Sequence, residues 1–279
     1  MRPSLPLILW AALPLVASPA FSTTTLVDSQ GFEGPLNNLG PLAGQVASTQ
    51  DGSGTAVWQE SGGGQAVIQD AVVAPGGGDQ AARIDRLAGT DGYWGVFEPV
   101  TSGSAVVFVE WDMRVEAATG PAGSFGPLFG VSIFNQEESL SLLGSLTVDS
   151  TTLEVLSQAT GTGFLTPTGL TVAPGAWNHF RIEVDLGTDQ YRLFVNDAPT
   201  GPAIGFVDGP AAGFTDASLT AAAGAGDPAS LALTGTAYFD NFQIMVVPEP
   251  TSPALMIFGG LLASGRRSRK DGPAGPPRD

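Results

Sequence analysis

The sequence has no cysteine. Disulfides, metal–thiolate centres and thiol nucleophiles are therefore excluded, and the fold must be held by its core or by a bound ion. Histidine occurs once, at His179, so no centre can be built from several imidazoles. Cations are scarce: 11 Lys and Arg stand against 27 Asp and Glu, a net charge of −16. They are also unevenly placed. Arg2 opens the chain, and Arg266, Arg267, Arg269, Lys270 and Arg278 close it. Residues 23–247 are left with five arginines against 24 carboxylates, a net charge of −19. Such a surface repels phosphate backbones, which excludes nucleic acid as a partner, and it attracts divalent cations. Internal repeats and amphipathic helical periodicity are missing as well.

What is present is glycine, proline and period-two alternation. The 38 glycines and 22 prolines suit many short strands joined by turns. Ala105–Val115 places Val107, Val109, Trp111, Met113 and Val115 on one face. Trp177–Leu186 turns Phe180, Ile182, Val184 and Leu186 inward, with His179, Arg181, Glu183 and Asp185 outward. A Gly-Thr-Asp turn then leads into Gln190–Asn196, which predicts a hairpin. Further strands are expected at Gln65–Asp70, Ala81–Leu87, Tyr93–Phe97, Leu128–Asn135, Leu143–Asp149, Ser218–Ala223 and Thr236–Met245. About ten to fourteen strands in one body over 23–246 predict an all-β, two-sheet antiparallel jelly-roll sandwich.

The two ends differ from this body. Arg2 followed by apolar Leu5–Ala17 and small residues reads as a secretory signal peptide over 1–22, with Ala20 or Ser22 last before cleavage. Pro6 and Pro14 count against a buried helix there. Ser252–Gly265 is apolar for 14 residues. As a helix that is about 21 Å, short of the roughly 30 Å hydrocarbon core. Arg266, Arg267, Arg269 and Lys270 would stay cytoplasmic and the body would lie outside. Pro248, Glu249 and Pro250, the apolar span and the basic cluster together resemble a PEP-CTERM sorting signal over 247–270. The resemblance implies a transient inner-membrane anchor, cleavage by an exosortase near Pro-Glu-Pro, and delivery to the cell surface or exopolysaccharide matrix. Two features depart from it: the span is short, and residues 271–279 follow as a polar tail. A plain C-terminal transmembrane anchor is the alternative.

Three segments of the body resemble the concanavalin A-like jelly rolls, which include laminin-G-like and carbohydrate-binding domains. "GAWNHFRIEVDLGTDQYRLFVND" looks like their central hairpin, "YFDNFQI" like their closing strand and "DSQGFEGP" (Asp28–Pro35) like their opening. The resemblance implies a structural calcium held by an acidic residue near the first strand, here Glu33, and an Asp in the last, here Asp240. Asp240 is read as sharing a strand face with Tyr238, Phe242 and Ile244, where a carboxylate needs a cation or donors. Oxygen-only ligation suits calcium.

The laminarinase-type glucanases of the same fold use Glu-x-Asp-x-x-Glu on one strand. Here Glu110 and Asp112 are followed by Val115 where the second Glu belongs, and Glu116 has the wrong parity. His179 lacks a G-x-S-x-G partner and reads as an ordinary strand histidine. Glycan stacking is assigned to Trp58, Tyr93 and Trp94, which lie in or near glycine-rich segments; Trp111 and Trp177 read as core. The expectation is thus an exported, non-enzymatic protein binding extracellular polysaccharide. The alternatives are a structural matrix protein without a defined ligand, and a glycoside hydrolase with an unrecognised site.

Overall fold

The computed structural model describes residues 23–47, 56–100, 105–118, 120, 124–137, 139–224 and 227–247. The signal segment, Pro248, Glu249, Pro250, the apolar span Ser252–Gly265 and the tail all lie outside the described residues. The first half of the body forms β1 (Thr24–Asp28), β2 (Gly40–Pro41), β3 (Val46–Ala47), β4 (Ala56–Val57), β5 (Gln59–Gly62), β6 (Gln65–Gln69), β7 (Ala81–Arg86), β8 (Gly92–Val100) and β9 (Val106–Val115). The second half forms β10 (Leu128–Asn135), β11 (Ser141–Asp149), β12 (Glu154–Gln158), β13 (Leu165–Thr171), β14 (Trp177–Asp185), β15 (Gln190–Val195), β16 (Ala198–Pro199), β17 (Ile204–Gly205), β18 (Phe214–Ala222) and β19 (Gly235–Val247). One short helix, α1 (Pro228–Leu231), precedes the last strand.

Seventeen of these strands make two large antiparallel sheets, and β3 pairs with β4 in a separate two-stranded one. Ten strands form one, in the order β16-β15-β14-β9-β19-β7-β6-β2, with β1 on β19 and β17 on β15. Seven form the other, β13-β12-β11-β10-β18-β8-β5. The expected sandwich is observed, and the 177–195 hairpin pairs Asp185 with Gln190 across its turn.

Alternation explains why the sheets face each other. Val107, Val109, Trp111, Met113 and Val115 of β9 are all at most 2% exposed. Phe180, Ile182 and Val184 of β14 join them, as do Phe239, Phe242 and Ile244 of β19. The seven-stranded sheet answers with Trp94, Val96, Phe129, Val131, Ile133, Leu146, Val148, Ala217 and Leu219. Burying each aromatic or aliphatic side chain contributes about 1.5–3 kcal/mol, so the core needs no disulfide. Trp111 stacks on Phe180 at 5.7 Å between ring centroids.

Period two breaks at one informative place. The β19–β9 register shifts between Asp240 and Gln243, where Asn241 adopts φ 49°. This bulge gives β19 an extra residue. Phe239 faces the core before it, and Phe242 and Ile244 after it. Tyr238 therefore does not share the Phe242 face, contrary to the uninterrupted alternation expected of this strand. It lies outside, where Arg114 sits 5.8 Å from its ring centroid.

Candidate functional site

The outer face of the seven-stranded sheet is not covered by any described element. A groove of about 1150 Å³ runs across it. Its floor follows from strand register. Gln59, Gly95, Ser218, Ser132 and Ser145 stand side by side on β5, β8, β18, β10 and β11. At a strand spacing of ~4.8 Å this row is about 19 Å long. Beside it run Ser61, Tyr93, Thr220, Gly130 and Thr147, and on the other flank Phe97, Asp216, Phe134 and Leu142. A Cβ on Gly95 would lie 2.6 Å from Ser218 Oγ, so glycine keeps the floor low there.

Hydroxyl and amide groups dominate this floor. Ser145 Oγ donates to Gln158 Oε1 at 2.7 Å, and Thr220 Oγ1 to Ser132 Oγ at 3.2 Å. Thr147 Oγ1 is buried and has no partner. The rims are apolar: Phe164 is 73% exposed, Leu140 71%, Phe97 49% and Leu231 48%. Asp216 is the carboxylate of the floor rows. Burial pushes its carboxyl up, offset by hydrogen bonds from Thr215, Gln136 and Ser218. Tyr93 is likewise pushed up by burial and by the Asp91 charge, so its phenol stays neutral.

One wall is fixed from behind. Arg86 is 1% exposed. Its guanidinium donates to the carbonyls of Ser230 and Leu233 and to Asp91 Oδ1, tying α1 to the β7–β8 connection. Asp91 Oδ1 also accepts from Ala223 N at 2.8 Å.

The residues expected to stack on sugar are split by the structure. Tyr93 lines the groove. Trp58 and Trp94 are 1% and 0% exposed and belong to the core, so neither presents a ring face to a ligand. Alternation along β8 sends Trp94 inward, and Trp58 packs on Phe32 and Phe242 at 5.7 and 5.1 Å. Trp111 is core as expected, whereas Trp177 is half-buried. The groove residues on β10, β11 and β18 were missed from sequence. The signal was present as hydroxyl residues at alternate positions, Ser218 and Thr220 above all.

Glu33 and Asp240 meet the same loop. Glu33 Oε1 accepts from Asp79 N and Gln80 N, both at 2.7 Å, and Asp240 Oδ2 accepts from Ala74 N at 3.3 Å. Oxygens converge beside them. A Cβ on Gly31, at φ +67°, would meet Gly77 O at 2.6 Å, Asp240 Oδ1 at 3.3 Å and Asn241 Oδ1 at 3.5 Å. Ser29 Oγ, Asn37 Oδ1 and Gln80 Oε1 in this region are buried without partners. Burial pushes the Asp240 carboxyl up to about 7 against amide bonds from Asn241 and Ala74, and the Asp112 and Glu33 charges add to the rise. Among the described residues no three His, Asp or Glu side chains are grouped for a metal. A cation here would rely on carbonyl and amide oxygens besides the two carboxylates, a donor set that fits calcium.

Glu110, Asp112, Arg114 and Glu116 face outward on the ten-stranded sheet, away from the groove. Each is paired: Arg181 with Glu110 at 3.5 Å, Arg114 with Glu116 at 2.7 Å, and His179 Nδ1 with Asp112 Oδ1 at 2.9 Å. His179 is thus a partly exposed strand histidine engaged by one carboxylate. Asn241 Nδ2 donates to Asp112 Oδ2 at 2.8 Å and steadies the pair.

No family model matches the chain, and no curated protein sequence matches it. Several solved structures are similar in fold. A sialidase aligns at 10% identity and a TM-score of 0.48, covering 75% of this chain and 19% of its own, so this chain spans only that small share of it. An endo-β-1,4-glucuronan lyase from the fungus Trichoderma reesei aligns at 11% identity and 0.44, covering 74% and 94%. Alginate lyase Aly36B aligns at 12% identity and 0.47, covering 82% and 97%. Likeness at this level extends to the sandwich alone and assigns no reaction. It does correct the expectation that the body is not an enzyme. Two of the structures so aligned over nearly their whole length are named as polysaccharide lyases, so the expectation of a non-enzyme is withdrawn. Among the described residues no helix is long and apolar enough to cross a membrane.

The His179–Asp112 pair yields a clean pH measurement, because His179 is the one histidine. The Asp112 hydrogen bond lifts the imidazole above its ordinary value, partly offset by burial. Burial alone would raise Asp112, but bonds from His179 and Asn241 hold it below its usual range. The pair thus contributes stability that is full between about pH 4, the ordinary Asp value, and about pH 6.5; it is lost as pH rises through the raised His179 midpoint and again as pH falls through the lowered Asp112 midpoint. In an NMR titration His179 should titrate above about 6.5, and Asp112→Asn should bring it to that value or lower. An unshifted wild-type midpoint would contradict the pairing.

Proposed function

We propose that the chain is exported and engages extracellular polysaccharide through the groove of its seven-stranded sheet. The observation that supports this most directly is the combination of apolar rims with a hydroxyl floor. Sugar rings present apolar C–H faces and hydroxyl edges, and they need both kinds of partner at once. Tyr93, Phe97, Phe134 and Phe164 offer ring surface; Ser132, Ser218 and Thr220 offer donors and acceptors. The full chain should be retarded in native gels containing the polysaccharide it recognises. Tyr93→Ala combined with Phe97→Ala should weaken retention by about tenfold or more, the loss of two stacking contacts. Following reducing ends and unsaturated products in the same samples registers any cleavage. Retention unchanged by the double substitution would move the site elsewhere.

We also propose that calcium binds between Glu33, Asp240 and the neighbouring oxygens, fastening the chain ends of a body that has no disulfide. The supporting observation is the convergence of Gly77 O, Asp240 Oδ1 and Asn241 Oδ1 around Gly31. Calcium at about a hundredfold over its Kd should stabilise the full chain by about 2.7 kcal/mol. Chelator should remove the gain and Asp240→Ala should abolish it. Equal melting with calcium and with chelator would contradict the site.

The ends are proposed to act as addresses. The amino-terminal segment directs export, and the Pro248-Glu249-Pro250 segment is cut by an exosortase after a transient stay at the inner membrane. Mass spectrometry of the surface-located protein should find a carboxyl terminus near Pro250. Recovery of Arg266–Asp279 on the mature chain, in cells with an exosortase, would contradict this.

A further inference from the structure

We infer that the groove selects uncharged polysaccharide chains and rejects polyanionic ones. This rests on the reading of the groove as a glycan site and narrows it to a substrate class.

The inference comes from where the cations are. None of the seven strands β5, β8, β10, β11, β12, β13 and β18 contains an arginine, lysine or histidine. All five arginines of the body belong to the opposite sheet, and every one is ion-paired. Arg83 pairs with Asp85 at 3.0 Å, Arg114 with Glu116 at 2.7 Å, Arg181 with Glu110 at 3.5 Å and Arg192 with Glu183 at 3.6 Å. Arg86 is the one arginine behind the groove, and its guanidinium is engaged by Asp91 and two carbonyls. The ionisable side chains that line the groove, apart from Tyr93, are Glu60, Asp91, Asp216 and Asp227.

A uronate or sialate carboxylate entering this groove would lose water and meet no free cation among the described residues. An unpaired charge taken out of water is heavily penalised, and the groove carboxylates add like-charge repulsion. The −19 charge of the body extends that repulsion outward. An uncharged chain suffers neither cost. Its hydroxyls can donate and accept along the Ser218–Ser132–Ser145 row. Polysaccharide lyases similar in fold are named for glucuronan and alginate, both polyuronates; the cation-free groove sets this chain apart from such substrates.

The test uses matched polymers. Glucan, mannan, xylan and dextran are each presented to the full chain in native and carboxymethylated form, in affinity gels at low and high salt with chelator present. At least one native polymer should retain the protein, and its carboxymethylated form should bind at least about tenfold more weakly at low salt. That gap, about 1.4 kcal/mol, should narrow as salt screens it. Glu60→Lys, at an exposed rim position, should narrow it as well. Equal or tighter retention by carboxymethylated polymers, lost in the Tyr93→Ala, Phe97→Ala protein, would overturn the selectivity while leaving the groove a glycan site. Retention by no polymer of either kind would overturn the glycan reading itself, and the selectivity with it.

Discussion

Five arginines must serve 24 carboxylates between residues 23 and 247, and the ten-stranded sheet takes all of them. This distribution governs the rest of the molecule. On the outer face of that sheet, β9 and β14 present carboxylates at alternate positions, and Arg114, Arg181 and Arg192 on β9, β14 and β15 reduce their mutual repulsion. The exposed pairs contribute little stability individually. Their effect lies in making an acidic sheet face compatible with close strand packing. The strands of the seven-stranded sheet contain no cation, and its groove is lined largely by hydroxyls, glycine and aromatics, with Glu60 and Asp216 as its strand carboxylates.

The inner faces are alike, but the outer faces have diverged. Alternation commits one face of every central strand to the core, where Trp111 stacks on Phe180 of the neighbouring strand and Trp58 packs on Phe32 and Phe242. What remains free is one paired, charged surface and one groove. Arg86 joins the two. It is rooted in the ten-stranded sheet, yet its guanidinium fixes α1 and Asp91 at the groove wall. Removing it would leave buried carbonyls without donors and loosen that wall.

Much of the architecture was legible because the alternation is strong. Leu128–Asn135 and the 177–195 hairpin have the boundaries their patterns imply, give or take a residue. β12 and β13 were not legible, since Glu154–Gln158 is short and Leu165–Thr171 contains Pro167 and Gly169 and is largely exposed. Parity failed at Asn241, where one bulge residue reverses the faces of everything after it. Trp58 and Trp94 were misplaced because neighbouring glycines suggested open surroundings, whereas alternation along β8 turns Trp94 into the core and Trp58 packs on Phe32 and Phe242. The groove was hidden for a physical reason: it is built from hydroxyl and aromatic side chains spread over five strands and two connections, and none carries a charge pattern that stands out in one dimension. Glu33 and Asp240, by contrast, accept hydrogen bonds from one loop, residues 74–80, although some 200 residues separate them in the chain.

The central claim is that the cation-free outer face of the seven-stranded sheet is where this protein meets its ligand. A crystal structure of the chain soaked with an uncharged oligosaccharide tests it most directly. The account predicts sugar density along the Gln59–Ser218–Ser132–Ser145 row, with a ring against Tyr93 or Phe97. Density seated instead on the charged face, beside Arg181 or His179, would contradict it.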